Sequence, residues 1–222
     1  MKTIRCPTWF LVAALIISGC GKHVTVRPPV TTSLGFQVFE ALGEIKRVPV
    51  SIGLRLDPKL KAESIRVSRE LGTAEIAFGE IVSAKLIQAL SYKFDQIALV
   101  SGMENAPQML LTIELEGEGP AVGVDIRQYP VALTGGGTFE VVAKVDARLR
   151  ATFTYNGQTV WVGHGRVVEE LESGGAAYGV IEGSTQAAEL TNRVTDRLVA
   201  DLMVQMRRSV ELKKVLEERQ RQ

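Results

Sequence analysis

The longest alternation of apolar and polar positions runs through "FEVVAKVDARLRATFTY", residues 139 to 155. Phe139, Val141, Ala143, Val145, Ala147, Leu149, Ala151, Phe153 and Tyr155 fill the odd positions. Glu140, Lys144, Asp146, Arg148, Arg150, Thr152 and Thr154 fill most of the even ones. Side chains alternate between the two faces of a strand, so this stretch predicts one of roughly 55 Å with a dry face and a wet face. Sheets of that kind are antiparallel and covered on one side. Asn156-Gly157 follows, and both residues tolerate the positive φ of a tight hairpin. "TVWVGHGRVVEE" then returns as the partner strand. A two-residue loop puts Val160 and Val162 on the buried face, whereas a loop with a bulge buries Trp161. The pattern leaves both open.

The same reading places the other elements. Val48, Val50, Ile52, Leu54 and Leu56 alternate through "KRVPVSIGLRL" and predict a strand over 46–56, ended by Asp57-Pro58. Val82, Leu86, Leu90 and Phe94 recur at helical spacing over 78–94, with Glu80, Lys85, Gln88 and Lys93 assigned to the outer face. "QIALV", 96–100, and "MLLTIELEG", 109–117, read as strands. Residues 118–138 read as a loop because of Pro120, Gly123, Pro130 and Gly135-Gly136-Gly137. A closing helix is expected from Ser184, a plausible N-cap, to about Leu216. Its stripe Leu190, Val194, Leu198, Leu202, Met206, Val210 steps by four residues. Each step turns about 40° beyond a full turn of 3.6 residues, so the stripe drifts and the far end is expected to leave the core. Together these elements predict an α+β fold, a two-layer sandwich with a mainly antiparallel sheet and two helices packed on one face.

The N-terminus follows a different pattern. Lys2 and Arg5 precede the apolar run "WFLVAALII", which is too short to cross a bilayer as a helix. It ends in Ile17-Ser18-Gly19-Cys20. A charged start, a short apolar core and a small-residue exit are the marks of a secretory signal over residues 1–19. The expected organisation is a cysteine and tether over 20–45, a domain over 46–216 and a frayed tail over 217–222. The tether carries Pro28-Pro29, which favours extended backbone.

Composition adds mainly exclusions. The chain of 222 residues has 26 basic and 25 acidic side chains, so no global basic field recruits nucleic acid. Its two cysteines, Cys6 and Cys20, both lie in the first 20 residues, which leaves the body without a disulfide or a cysteine metal site. Outside the tether the one histidine is His164, in Gly163-His164-Gly165, and a catalytic triad needs a histidine beside a nucleophile. "EGEGPAVG", 116–123, contains G-x-G but is followed by prolines rather than by the helix a dinucleotide loop requires. Glu169, Glu170 and Glu172 are expected to form a solvated acidic end to the returning strand. No catalytic residue, metal ligand or cofactor is expected, and the protein reads as a non-enzyme. Val122, Val124, Ile126, Tyr129 and Val131, in the loop, are candidates for a partner contact or for packing on the sheet.

Ile17-Ser18-Gly19-Cys20 resembles the bacterial lipobox. The resemblance implies diacylglycerol on the Cys20 thiol, cleavage before Cys20 and acylation of the new amine. Gly21, where an Asp is the inner-membrane retention signal of enterobacterial lipoproteins, implies the outer membrane. The order of elements behind the lipobox, with "PVSIGLRLDP", "FGEIVSAKLIQALSYKFDQIALV" and "GQTVWVGHG", resembles a group of Gram-negative periplasmic lipoprotein domains. These include the YajG-like, LptE-like and PelC-like lipoproteins and the N-terminal domain of TolB. That resemblance implies an accessory or assembly subunit of an envelope transport or secretion system, on the periplasmic face of the outer membrane, acting on an envelope protein partner or by self-assembly. The alternative is a binding module for an amphiphile, a lipid or cell-wall fragment.

Overall fold

The structure, a computed structural model, describes residues 24–28, 31–44, 47–69, 72–102, 107–130, 137–174 and 180–220. In chain order these form β1 (Val24–Val26), α1 (Phe36–Leu42), β2 (Val48–Leu56), α2 (Pro58–Ala62), β3 (Ile65–Arg69), β4 (Gly72–Ile76), α3 (Phe78–Lys93), β5 (Phe94–Leu99), β6 (Met109–Leu115), β7 (Ala121–Pro130), β8 (Gly137–Tyr155), β9 (Gln158–Gly174), α4 (Val180–Arg208) and α5 (Val210–Gln220). The α+β expectation holds. The main sheet runs β5-β2-β6-β8, and β8 is its spine. One edge of β8 is shared between β6, opposite residues 149–155, and β7, opposite residues 137–146. β9 follows the other edge from Tyr155 to Glu140. The pairs β2–β5 and β2–β6 are parallel, so the sheet is mixed, antiparallel on the β8 side and parallel at the far edge. Parallel neighbours need a crossover, and the chain from β2 to β5 makes it through α3.

The alternating residues of β8 behave as their spacing predicts. Val145, Ala147, Leu149, Ala151 and Phe153 are buried. They meet Val82, Leu86, Ala89 and Leu90 of α3 and Leu190, Val194, Leu198 and Leu202 of α4 in one continuous core. Asn156-Gly157 forms the two-residue turn, with φ of 49° and 78°. Tyr155 faces Gln158 and Thr154 faces Thr159, but Phe153 faces Trp161. Val160 is therefore an extra residue, and both readings of the hairpin were partly right. The loop is two residues long, and a bulge one step later turns Trp161 toward the core and leaves Val162 exposed.

Three expectations need correction. First, the tether over 20–45 is shorter than predicted. Val24–Val26 is a strand parallel to β4 in a second sheet, β1-β4-β3, and Phe36–Leu42 is a helix that buries Val38, Ala41 and Leu42. Three residues of alternation and a seven-residue helix are too short to register as periods. Second, residues 57–77 contain a short helix and a hairpin. Pro58 stands in the first turn of α2, and the Asp57 carboxylate accepts the Lys59 amide at 3.0 Å. Third, the closing helix begins at Val180, so Ser184 lies inside it, and it breaks at Ser209. Val210 is exposed, as the drift of the stripe requires. The Ser209 hydroxyl accepts the Leu212 amide at 3.1 Å, which starts a new helix on a different face. That reset buries Leu212 and Leu216. The predicted frayed tail is helical as far as Gln220; residues 221 and 222 lie outside the described chain.

The small sheet is tied by charge. Arg27 and Arg66 both donate to the Glu75 carboxylate, at 3.1 and 3.2 Å. Their hydrogen bonds, Arg27 first, hold the Glu75 carboxyl below its ordinary value of 4.5. A carboxyl lowered in the folded state adds stability above its unfolded pKa, and that stability is lost as pH falls through the folded pKa. Glu75→Gln is therefore expected to unfold at lower urea than the parent at pH 7, with the gap closing at pH 3. A gap that persists at pH 3 refutes the role of these ion pairs.

Candidate functional site

Cys20 and the lipobox residues Ile17, Ser18 and Gly19 lie outside the described residues, which take up the chain at Val24. Val122, Val124, Ile126 and Tyr129 belong to β7, so the middle of the predicted loop, Ala121–Pro130, is a strand. In register, Val122, Val124 and Ile126 stand opposite Val145, Ala143 and Val141 of β8. The period of β7 was present in the sequence, but the glycines and prolines around it outweighed it. Val131 lies outside the described residues.

His164 sits on the wet face of β9. Its Nδ1 is 2.7 Å from Glu116 Oε1, and its backbone is clamped by Gln205 of α4, which accepts from the His164 amide and donates to its carbonyl. A Cβ on Gly163 would fall 2.3 Å from the Trp161 ring, whereas one on Gly165 would meet Leu198 of α4 at an ordinary contact distance of 3.4 Å. Of the two glycines, Gly163 therefore has the packing role. Among the described residues no group of three or more His, Cys, Asp or Glu side chains is placed to hold a metal ion.

The acidic end of β9 divides by face. Glu170 points to the wet side and pairs with Lys144 at 2.8 Å. Glu169 points inward, is buried and pairs with Arg197 of α4, which corrects its expected solvated place. The Glu172 side chain lies outside the described set. Lys85, assigned to the outer face of α3, is fully buried and bonded to Asp196 of α4 at 2.8 Å. The long α4 covers what the isolated α3 pattern read as solvent.

A concavity lies where α1, α3, α4 and α5 converge on the start of β2. Its volume is about 330 Å³. Leu42, Phe94, Met203, Met206, Leu212 and Leu216 form an apolar floor. Arg47, Lys93, Arg207 and Lys213 stand around it, with Glu217 as the acidic lining residue. Each cation comes from a different part of the chain: Arg47 precedes β2, Lys93 ends α3, Arg207 is in the last turn of α4 and Lys213 is on α5. Among the described residues no carboxylate lies within ion-pair distance of any of the four. Burial, then repulsion from Arg207 and Lys213, lowers the Lys93 ammonium from its ordinary value of 10.5. The sequence showed these residues only as scattered surface charges and core positions. Their convergence depends on the break at Ser209, which no period announces.

No family model matches the sequence, and a search of curated proteins returns no match. Solved structures do show similar chains. A neuraminyllactose-binding hemagglutinin homolog from Helicobacter pylori superposes with a TM-score of 0.54 at 12% identity, over 86% of this chain and 97% of that one. This likeness is one of fold. Rare lipoprotein B from Shewanella oneidensis (TM-score 0.36, 11% identity, 75% of this chain and 99% of that one) and a minor lipoprotein from Acinetobacter baumannii (0.34, 11%, 78% and 96%) are more distant. The solved structures similar to this chain thus include two described as lipoproteins.

Proposed function

We propose that this chain is a lipid-anchored accessory or assembly subunit of a Gram-negative envelope transport or secretion system, working through protein contacts at the periplasmic face of the outer membrane. The observation that carries the reading is the entry of the chain into the fold at Val24, four residues after the lipobox cysteine. Four residues reach at most about 14 Å. A lipid on Cys20 therefore holds the small sheet against the membrane and turns the rest of the domain into the periplasm. β9 suits a contact surface. Among the described residues nothing pairs with its outer edge, and Val162 and Val168 are exposed on its wet face. An open strand edge flanked by apolar side chains is the usual template for strand addition or subunit docking.

The test has two arms. Cys20→Ala is expected to abolish incorporation of labelled palmitate and to leave the protein soluble or unprocessed; labelling that survives the change refutes the anchor. Photocrosslinkers placed at Val162 and Val168 in growing cells are expected to yield one defined adduct, either with an envelope protein or with a second copy of the chain. Recovery of monomer alone from both positions refutes the subunit reading.

A further inference from the structure

The concavity between α1, α3, α4 and α5 does not depend on the subunit reading. We infer that it is a binding site for an amphiphile with one acyl chain and an anionic head, the chain lying on the methionine and leucine floor and the head held by Lys93, Arg207 and Lys213.

Three observations support it. The first is size. Ligand pockets fall at roughly 300–1,000 Å³, and about 330 Å³ is at the small end. A cleft of this size has room for a stretch of one acyl chain. The second is the floor. Met203 and Met206 are unbranched and adapt their shape to a flexible chain, unlike the leucines and alanines that fill the core under β8. The third is charge. Four cations from four parts of the chain surround an apolar surface that one carboxylate, Glu217, also lines, and among the described residues none of the four is within ion-pair distance of a carboxylate. Gathering like charges raises the free energy of the folded chain unless something of opposite sign neutralises them. Lys93, partly buried beside two other cations, is the group most relieved by an anion. An uncharged amphiphile lacks that contribution, so the head must be anionic.

Two sources share this chemistry, a fatty acid with a carboxylate head and a lysophospholipid with a phosphate head. The experiment uses the full chain in its own membranes and a palmitic acid carrying a diazirine near the end of its acyl chain. Ultraviolet light is expected to attach the probe to peptides containing Met203, Met206 and Leu216. Arg207→Gln with Lys213→Gln removes two exposed charges without touching the floor, and is expected to lower labelling about tenfold, as the loss of two solvent-exposed ion pairs predicts. Arg207→Lys with Lys213→Arg keeps the charge and is expected to retain most of it. Excess palmitate or excess lysophosphatidic acid is expected to compete, and the stronger competitor identifies the head. A diazirine alcohol of the same chain length is expected to label weakly. Equal labelling by the alcohol, unchanged labelling of the Gln variant, or adducts confined to other peptides overturns the inference. Cys20→Ala leaves the pocket intact, so failure of the anchor and failure of the pocket are read separately.

Discussion

Replacing Asp196 by Ala is expected to destabilise the fold by about 3–5 kcal/mol, the cost of leaving one charge of a buried pair unpartnered. Lys85 has no exposed surface. Its ammonium donates to Asp196 Oδ1 at 2.8 Å and to the Asn192 carbonyl at 3.3 Å. Asp196 Oδ1 also accepts the Gly35 amide at 3.0 Å, just ahead of α1. One carboxylate therefore joins α3, α4 and the entry to α1. Gly35 is required there, because a Cβ would fall 2.4 Å from Asp196 Oδ2. Lys85→Met with Asp196→Leu removes both charges and fills the space, and is expected to lose much less than Asp196→Ala alone. Urea unfolding of the three chains decides it; an Asp196→Ala loss below about 1 kcal/mol would place the pair in the weak class of surface ion pairs. pH gives a second signature. Burial pushes the Lys85 ammonium below its ordinary 10.5 despite Asp196. Between the folded pKa and 10.5 the unfolded chain binds one more proton than the folded one, so the cost of burying this ammonium falls as pH rises. Without Asp196 the folded pKa is lower still and that relief begins at lower pH, so the deficit of Asp196→Ala should shrink as pH approaches the parent's folded pKa.

Gly79→Ala is expected to have the next largest effect, about 1–3 kcal/mol, for a reason of space rather than charge. Gly79 is the second residue of α3 and is buried. A Cβ at this position would stand 1.7 Å from the Leu60 carbonyl oxygen and 3.0 Å from that of Lys61. Backbone oxygens at the end of α2 do not swing aside as a side chain does. The methyl must push α3 away from α2, and the Gly79 amide bond to the Glu63 carbonyl, now 2.9 Å, goes with it. The urea midpoint should fall with little change in slope, because the surface exposed on unfolding is nearly the same. Full stability in Gly79→Ala would mean that the two helices do not meet this closely in solution.

The elements with long periods were legible from the sequence. β8, α3 and the first five stripe positions of α4 lie where their spacing put them, because each buries one continuous face. What escaped was short, or depended on distant chain. β1 is three residues, and its pairing with β4 is not written in either segment. Lys85 follows the polar positions of α3 and becomes buried only when α4 is laid across it. The hairpin shows the same limit: Asn156-Gly157 fixed the turn, but the bulge at Val160 reflects the preference for Trp161 over Val162 against the core. The site was the least legible part. Its lining residues span Leu42 to Gln220, and the sequence offers them as ordinary core leucines and ordinary surface cations.

The break at Ser209 also bears on how the cavity exchanges its contents. Among the described residues α5 is the last element of the chain, eleven residues long, and is held to the body by Leu212 and Leu216. Proteins open in cooperative units, and terminal units with few buried contacts open at the lowest free energy. Leu212, Lys213 and Leu216 line the cavity, so detaching α5 uncovers floor and headgroup contacts in one movement. The sheet and the α3–α4 layer take no part in it. Any occupant then has a route in and out on the timescale of a local helix opening, while the rest of the domain stays folded.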